Sequence, residues 1–213
     1  MRVIGLLGGT FNPIHLGHLR LAEELSIALN FDELRFIPSA NPPHKTAPTV
    51  SADHRAQMVR LAIQNNPKFQ LDTQELARNG ASYSIDTLKN LRKDLGENTS
   101  LCLIMGSDAF VKLDTWHEWE QLIDYCHILL VQRPQPNIST LNATLEAFLT
   151  EHYTDNNDDL LNNAAGFITM QAITALDISS TNIRNDLYTQ RSTRYLVPDN
   201  VLNYIAQHQL YQQ

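Results

Sequence analysis

Cysteine is scarce in this chain, with only Cys102 and Cys126 among 213 residues. Two cysteines cannot build a disulfide framework, and their spacing is not that of a metal knuckle. Both read as buried, reduced thiols, Cys102 inside one apolar run and Cys126 beside another. Long hydrophobic runs are also missing. No apolar stretch approaches the roughly 20 residues that cross a bilayer, so no membrane partner is expected. Gly8, Gly9, Asn12 and Pro13 interrupt any secretory h-region, which makes a cytoplasmic location the expectation. Positive charge is the minority: 16 Lys and Arg against 23 Asp and Glu leave a formal charge of -7 at pH 7. That balance argues against broad binding of nucleic acid, although a few converging cations can still hold a phosphate. Internal repeats and low-complexity tracts are absent. Two familiar phosphate loops are absent as well: there is no GxxxxGK followed by Ser or Thr, and Gly5, Gly8 and Gly9 do not fit GxGxxG. P-loop hydrolysis and hydride transfer are therefore disfavoured.

What is present suits one soluble domain with a substantial core, at 43% hydrophobic and 18% charged residues. Apolar runs at 3–7, 33–38, 69–72, 100–105, 127–131 and 167–173 read as strands. Helical spacing predicts helices over 19–29, from Ser51 or Asp53 to about 65, from an N-cap at Ser84 to Gly96, over 141–153, over 179–188, and a terminal helix begun by Pro198. The acidic run 154–159 reads as a solvated loop. Strands alternating with helices predict an α/β, Rossmann-like open sheet, mostly parallel, with helices on both faces. Residues 1–213 form a single domain in this reading, with a small C-terminal helical part from about 177. Right-handed crossovers put the loops after the strands on one edge, where open α/β sheets bind ligands. His15, His18, Lys45, Asp108, Arg133 and the Ser179 region can meet there.

The stretch Gly8-Gly9-Thr10-Phe11-Asn12-Pro13-Ile14-His15-Leu16-Gly17-His18 follows the first strand and opens the first helix. Glycines let the backbone turn and approach a ligand, and a helix start offers N–H groups and a positive dipole end to an anion. In a functional reading His15 and His18 add side-chain donors for phosphate oxygens whose charge grows during phosphoryl or nucleotidyl transfer. A metal-binding HxxH pair is disfavoured, because no Cys, Asp or Glu lies in the same turn. A structural role for one of the two histidines stays open. The run Ser179 to Arg184, alone, reads as an ordinary N-cap. His44 and Lys45 read as solvated loop residues or, beside Pro42-Pro43, as groups closing on phosphate. Trp116 reads as packing or as a stacking platform.

GGTFNPIHLGH resembles the GxFxPxHxGH signature of the HxGH nucleotidyltransferase superfamily, and Ile178-Ser179-Ser180-Thr181-Asn182-Ile183-Arg184 resembles its ISSTxIR signature. Within that superfamily the chain is most similar to the bacterial nicotinate mononucleotide adenylyltransferases. Pro38 to Lys45, Ser82 to Leu88, and Gly106-Ser107-Asp108 followed by Trp116 carry that similarity. The resemblance implies that the 5'-phosphate of nicotinate mononucleotide attacks the α-phosphorus of ATP directly, giving deamido-NAD and pyrophosphate. No covalent enzyme intermediate is implied. Mg²⁺ is the implied cofactor, held mainly through the ATP phosphates, with no protein metal ligands. The implied catalytic residues are His15, His18, Lys45 and Arg184. ATP would meet Gly8, Gly9, Thr10, Phe11, His15, His18, Gly106, Asp108, Arg133, Ser180, Thr181 and Arg184. The acceptor would meet Asn41, His44, Lys45, Tyr83, Ser84 and Trp116, with the tryptophan on the pyridine ring and the backbone near Tyr83 and Ser84 at the carboxylate.

Ser84 stands where many relatives carry threonine, a mild departure because the contact can use backbone N–H. The same chemistry on nicotinamide mononucleotide or phosphopantetheine is the nearest alternative. A catalytically idle nucleotide-binding protein is a third reading, against which both histidines, Lys45 and Arg184 speak. No family motif falls in 135–166, and a homo-oligomer is compatible with the sequence.

Overall fold

Apolar residues alternating along strands with both faces covered sort the core into two layers, one on each side of a sheet. The structure, a computed structural model, describes residues 1–40, 48, 50–78, 80–132, 141–174 and 176–212. In chain order its elements are β1 (Arg2–Gly9), α1 (Leu16–Ala28), β2 (Glu33–Pro38), α2 (Ala52–Ile63), β3 (Phe69–Leu71) and α3 (Ser84–Leu95). Then come β4 (Thr99–Gly106), α4 (Ser107–Phe110), 3-10 turns at Leu113–Thr115 and Trp119–Gln121, α5 (Leu122–Tyr125) and β5 (His127–Gln132). The chain ends with α6 (Ala143–His152), α7 (Asn157–Asn162), β6 (Ile168–Ala172), α8 (Ser180–Tyr188) and α9 (Asp199–Gln207). The six strands form one sheet in the order β3-β2-β1-β4-β5-β6. Every pairing is parallel.

This is the doubly wound α/β arrangement expected from the strand and helix spacing. β1 and β4 are neighbours from which the chain winds outward in opposite directions, so the crevice beyond their carboxyl ends is the topological switch point. On one face Val3, Leu7, Cys102, Ile104, Leu129 and Val131 pack with buried residues of α1, α2, α7, α8 and α9. On the other, Ile4, Leu6, Leu101, Leu103, Met105, Ile128 and Leu130 pack with α3, α4, α5 and α6. Both cysteines are free and buried, and burial pushes the Cys102 thiol up to about 12. At the opposite edge from the crevice, Arg92 donates to the carbonyls of Gly96, Thr99, Tyr125 and Ala164, fastening α3 to the start of β4 and to the segments around β5. Among the described residues no helix is long and apolar enough to cross a membrane.

Several local expectations change. Gly8 and Gly9 are not a turn: they are the last residues of β1, paired with Ile37 and Pro38 of β2. The chain turns instead at Phe11, whose φ of 46° is left-handed, just before the cis Asn12-Pro13 bond. Ser84 is the first residue of α3 rather than its cap. Tyr83 takes the cap position, with extended backbone and no side-chain cap bond. Pro198 likewise caps α9 and Asp199 begins it. The acidic run is not wholly a loop. Asn156 accepts a hydrogen bond from the Asp158 N–H at 3.1 Å, Asp158 and Asp159 occupy the first turn of α7, and Leu160 is buried. Acidic residues in a first helical turn favour the helix through its dipole. The C-terminal helices contribute Ile183, Val201, Ile205 and Tyr211 to the same core layer as β1 and β4.

Candidate active site

Four segments converge at the carboxyl ends of β1 and β4. The first runs from Gly8 into α1. Gly9 belongs in this strand end because a Cβ there would lie 3.0 Å from the Phe11 ring. The Phe11 ring is buried and sits edge-on to His18 at 5.2 Å, so this residue forms a wall and offers the site its backbone. His15 caps α1; its backbone N–H donates to His18 Nδ1 at 3.3 Å, and the two imidazoles stack at 3.7 Å. Gly17 makes that stack possible. A Cβ on it would come 3.0 Å from His15 Nδ1 and 3.6 Å from Ile178 Cβ. His15 is buried and His18 half-buried, so the outer ring is backed by the inner one. The first N–H of α1 is not open to a ligand, since Leu16 N–H donates to the Leu196 carbonyl at 2.8 Å.

The second segment is the start of α8. Ser179 is the cap, accepting from the Thr181 N–H at 3.2 Å, as an ordinary helix start requires. The next residues do something else. Ser180 Oγ donates to the Pro13 carbonyl at 3.0 Å and Arg184 Nη1 donates to the Asn12 carbonyl at 2.8 Å. The turn after β1 is thus fastened to α8, and Tyr211 Oη reaches Asn12 Oδ1 at 2.7 Å from the C-terminal end. The two motifs from opposite ends of the chain are thereby joined at one turn, with Thr181 exposed and Arg184 and His18 half-buried.

The third segment is the end of β4. A Cβ on Gly106 would lie 2.5 Å from Asp108 Oδ1, so glycine gives the exposed Asp108 carboxylate its place at the strand end. The fourth is the start of α3, reached through β2. Gly9 O accepts from the Ser39 N–H at 3.0 Å, and the Ala40 N–H donates to Ser82 Oγ at 3.1 Å. Tyr83 and Trp116 are partly buried against the core layer of α3, and the Tyr83 ring meets the His117 ring at 4.5 Å. Lys89 Nζ donates to Glu118 Oε2 at 2.6 Å, so α3 is bound to the Trp116 segment twice. Asn41, His44, Lys45 and Arg133 lie outside the described residues. Among the described residues no three His, Cys, Asp or Glu side chains gather as a metal cage.

Sequence reasoning missed Arg55, Tyr211 and Glu75. Arg55 on α2 is 1% exposed and donates to the Thr10 carbonyl at 2.7 Å and the Ala40 carbonyl at 3.3 Å. A signal was available: Arg55 shares the helical stripe of buried Met58, Val59 and Ile63, where a cation is out of place. Burial lowers its affinity for the proton and raises that of the nearby Tyr211 phenol. Glu75, buried and accepting from Thr87 Oγ1 at 2.9 Å, has its carboxyl pushed above the usual range by burial.

The cytidylyltransferase-like family pattern matches residues 6–186, which spans all four segments. A probable nicotinate-nucleotide adenylyltransferase of Pseudomonas putida is 43% identical over 211 residues, covering 99% of this chain and 95% of that protein. The chain belongs to the nicotinate-nucleotide adenylyltransferase family. Another member, from Hydrogenovibrio crunogenus, is 44% identical and is covered over 98% of its length. The fold of this family member is also that of the Plasmodium falciparum nicotinic acid mononucleotide adenylyltransferase complexed with NaAD. The two share a TM-score of 0.71 at 19% identity, with 99% of this chain and 98% of that one covered.

Proposed function

We propose that the protein transfers the adenylyl group of ATP to the 5'-phosphate of nicotinate mononucleotide, giving deamido-NAD and pyrophosphate, by direct in-line attack without a covalent enzyme intermediate. The observation that carries this reading is the docking of Arg184 and Ser180 on the Asn12-Pro13 carbonyls, which joins two distant motifs at one turn. Identity of 43% over nearly the whole length of a nicotinate-nucleotide adenylyltransferase supports the choice of acceptor.

In the proposed mechanism the acceptor phosphate oxygen forms a bond to the α-phosphorus as the bond to pyrophosphate breaks, and the leaving group carries the electron pair away. Such a transfer rests on positioning and on stabilising charge. The backbone of Gly8, Gly9, Thr10 and Phe11, with His15 and His18, holds the phosphates from one side. Ser180, Thr181 and Arg184 hold the β and γ phosphates from the other. His18 is the outer imidazole and donates to an oxygen whose charge grows in the transition state. His15, buried behind it, fixes the ring. Gly106 and Asp108 take the ribose at the switch point. Lys45 and Arg133 add positive charge, and Asn41 and His44 line the acceptor. Mg²⁺ would be carried on the triphosphate as part of the substrate, where it would neutralise phosphate charge.

At α3 the Tyr83 cap has no side-chain bond to the first turn, so the N–H groups there serve the nicotinate carboxylate, with Trp116 on the pyridine ring. The setting is the cytoplasm, with small nucleotides rather than nucleic acid as partners. Purified protein incubated with ATP, Mg²⁺ and nicotinate mononucleotide should release pyrophosphate and deamido-NAD in equal amounts. Hydrolysis of ATP without dinucleotide would refute the reading.

A further inference from the structure

A buried arginine is costly unless its charge is paired, and a Leu or Met of similar volume would serve packing better. Arg55 is 1% exposed, and among the described residues no carboxylate forms an ion pair with it and its Nε has no hydrogen-bond partner. Its two terminal nitrogens nevertheless have separate tasks. Nη1 donates to the carbonyl of Thr10, in the turn after β1, and Nη2 to the carbonyl of Ala40, two residues past the end of β2. Ala40 is a junction. Its N–H donates to Ser82 Oγ, one residue before the Tyr83 cap of α3. Ser82 in turn is hydrogen-bonded to the buried carboxyl of Glu75, which also accepts from Thr87 Oγ1 in the first turn of α3. A continuous set of bonds therefore runs from Thr10 through Arg55, Ala40, Ser82 and Glu75 to Thr87. A planar fork can hold two carbonyls at a fixed separation, whereas an ammonium or an amide cannot replace both bonds at once.

We propose that Arg55 is a positioning residue that locks the ATP-side turn at Thr10 to the acceptor-side helix start at Ser82 and Tyr83, so that binding of one substrate pre-orders the site for the other. This inference rests on the proposed adenylyl transfer to nicotinate mononucleotide. It predicts positive coupling between two ligands that touch different segments, and the coupling should vanish when either end of the Ala40 link is cut. A purely structural Arg55 would change stability and leave the coupling intact.

The test is calorimetric titration of nicotinate mononucleotide into the protein with and without saturating α,β-methylene-ATP and Mg²⁺, for wild type, Arg55→Lys and Ser82→Ala. In wild type the analogue should tighten acceptor binding at least about fivefold, the lower end of typical coupling between sites. In both variants the factor should fall close to one and kcat should drop, while acceptor binding without the analogue changes much less. Ser82→Ala keeps the test valid if the core substitution destabilises the fold, because it breaks the same link from a half-buried position. Absence of coupling in wild type, or wild-type coupling in Ser82→Ala or in folded Arg55→Lys, overturns the proposal. Wild-type protein that makes no deamido-NAD would instead contradict the functional reading, so the two failures are separable.

Discussion

Gly17→Ala tests the packing of the histidine pair more sharply than removal of either ring. The substitution lies in the first turn of α1, where alanine by itself favours the helix by about 1 kcal/mol. Against this, the new methyl would stand 3.0 Å from His15 Nδ1 and 3.1 Å from Cε1, closer than ordinary contact, with Ile178 Cβ behind it at 3.6 Å. The His15 ring must then give way by a few tenths of an ångström. It cannot move alone, because it stacks on His18 at 3.7 Å, and His18 in turn rests edge-on against Phe11 at 5.2 Å. Overpacking of this kind costs about 1–3 kcal/mol, so the net loss of stability is about 0–2 kcal/mol. For a chain of this size that is a fall in Tm of up to about 8 °C. Catalysis should suffer far more, since a small misplacement of a positioned group costs on the order of 100-fold. Scanning calorimetry and steady-state kinetics on the same preparation give both numbers. A Gly17→Ala protein with wild-type kcat, or with a raised Tm, would refute the claim that this glycine exists to admit the inner imidazole.

Arg184→Ala removes the bond to the Asn12 carbonyl and, in the proposed function, a cation for the triphosphate, so kcat/KM for ATP should fall about 100- to 1000-fold, as for loss of one aimed donor. Its half-buried site at the rim implies only a small change in Tm, and a collapse of the fold would contradict the assignment. His127, fully buried, uses Nε2 toward the Asn163 carbonyl and Nδ1 toward the Phe167 N–H, a pattern that fits the neutral ring. Burial holds its pKa below the ordinary 6.5. The unfolded chain therefore binds the extra proton first: stability is full above about pH 6.5 and falls at up to about 1.4 kcal/mol per pH unit below it, until the folded-state pKa is reached. Urea titrations of wild type and His127→Asn between pH 5 and 7 check this, with a flatter acid limb expected for the variant. An unchanged slope would exclude His127 as the source.

Much of the architecture was readable because each buried strand is a short apolar run and the helices between them carry apolar stripes. The strands at 33–38 and 127–131 and the helix cap at Ser179 are where such patterns placed them. The glycine turn misled for a specific reason. Glycine after a strand usually signals a reversal, but here Gly8 and Gly9 continue the ladder and the reversal falls on Phe11, a residue with no turn propensity, held there by its buried ring. The start of α7 was hidden because charge suggests solvent, although Asp158 and Asp159 after Asn156 are also a helix-start pattern. The two motifs were legible as sequences. Their joining was not, because the Asn12 and Pro13 carbonyls that accept from Arg184 and Ser180 are backbone groups with no compositional trace. Arg55 and Tyr211 hold the same turn through other atoms, the Thr10 carbonyl and the Asn12 side-chain oxygen, and such contacts likewise leave no sequence motif.

The most direct test of the account compares kcat/KM for nicotinate mononucleotide with that for its amide counterpart, each at saturating ATP and Mg²⁺, with dinucleotide quantified as product. In the proposed function two segments hold the triphosphate and a third, the start of α3, reads the acceptor. Charge-assisted bonds to a carboxylate are worth about 1.5–3 kcal/mol, so the acid should be preferred by about 10- to 150-fold. Equal turnover of acid and amide would contradict the assignment of the Tyr83 and Ser84 helix start, and no dinucleotide from either would contradict the account as a whole.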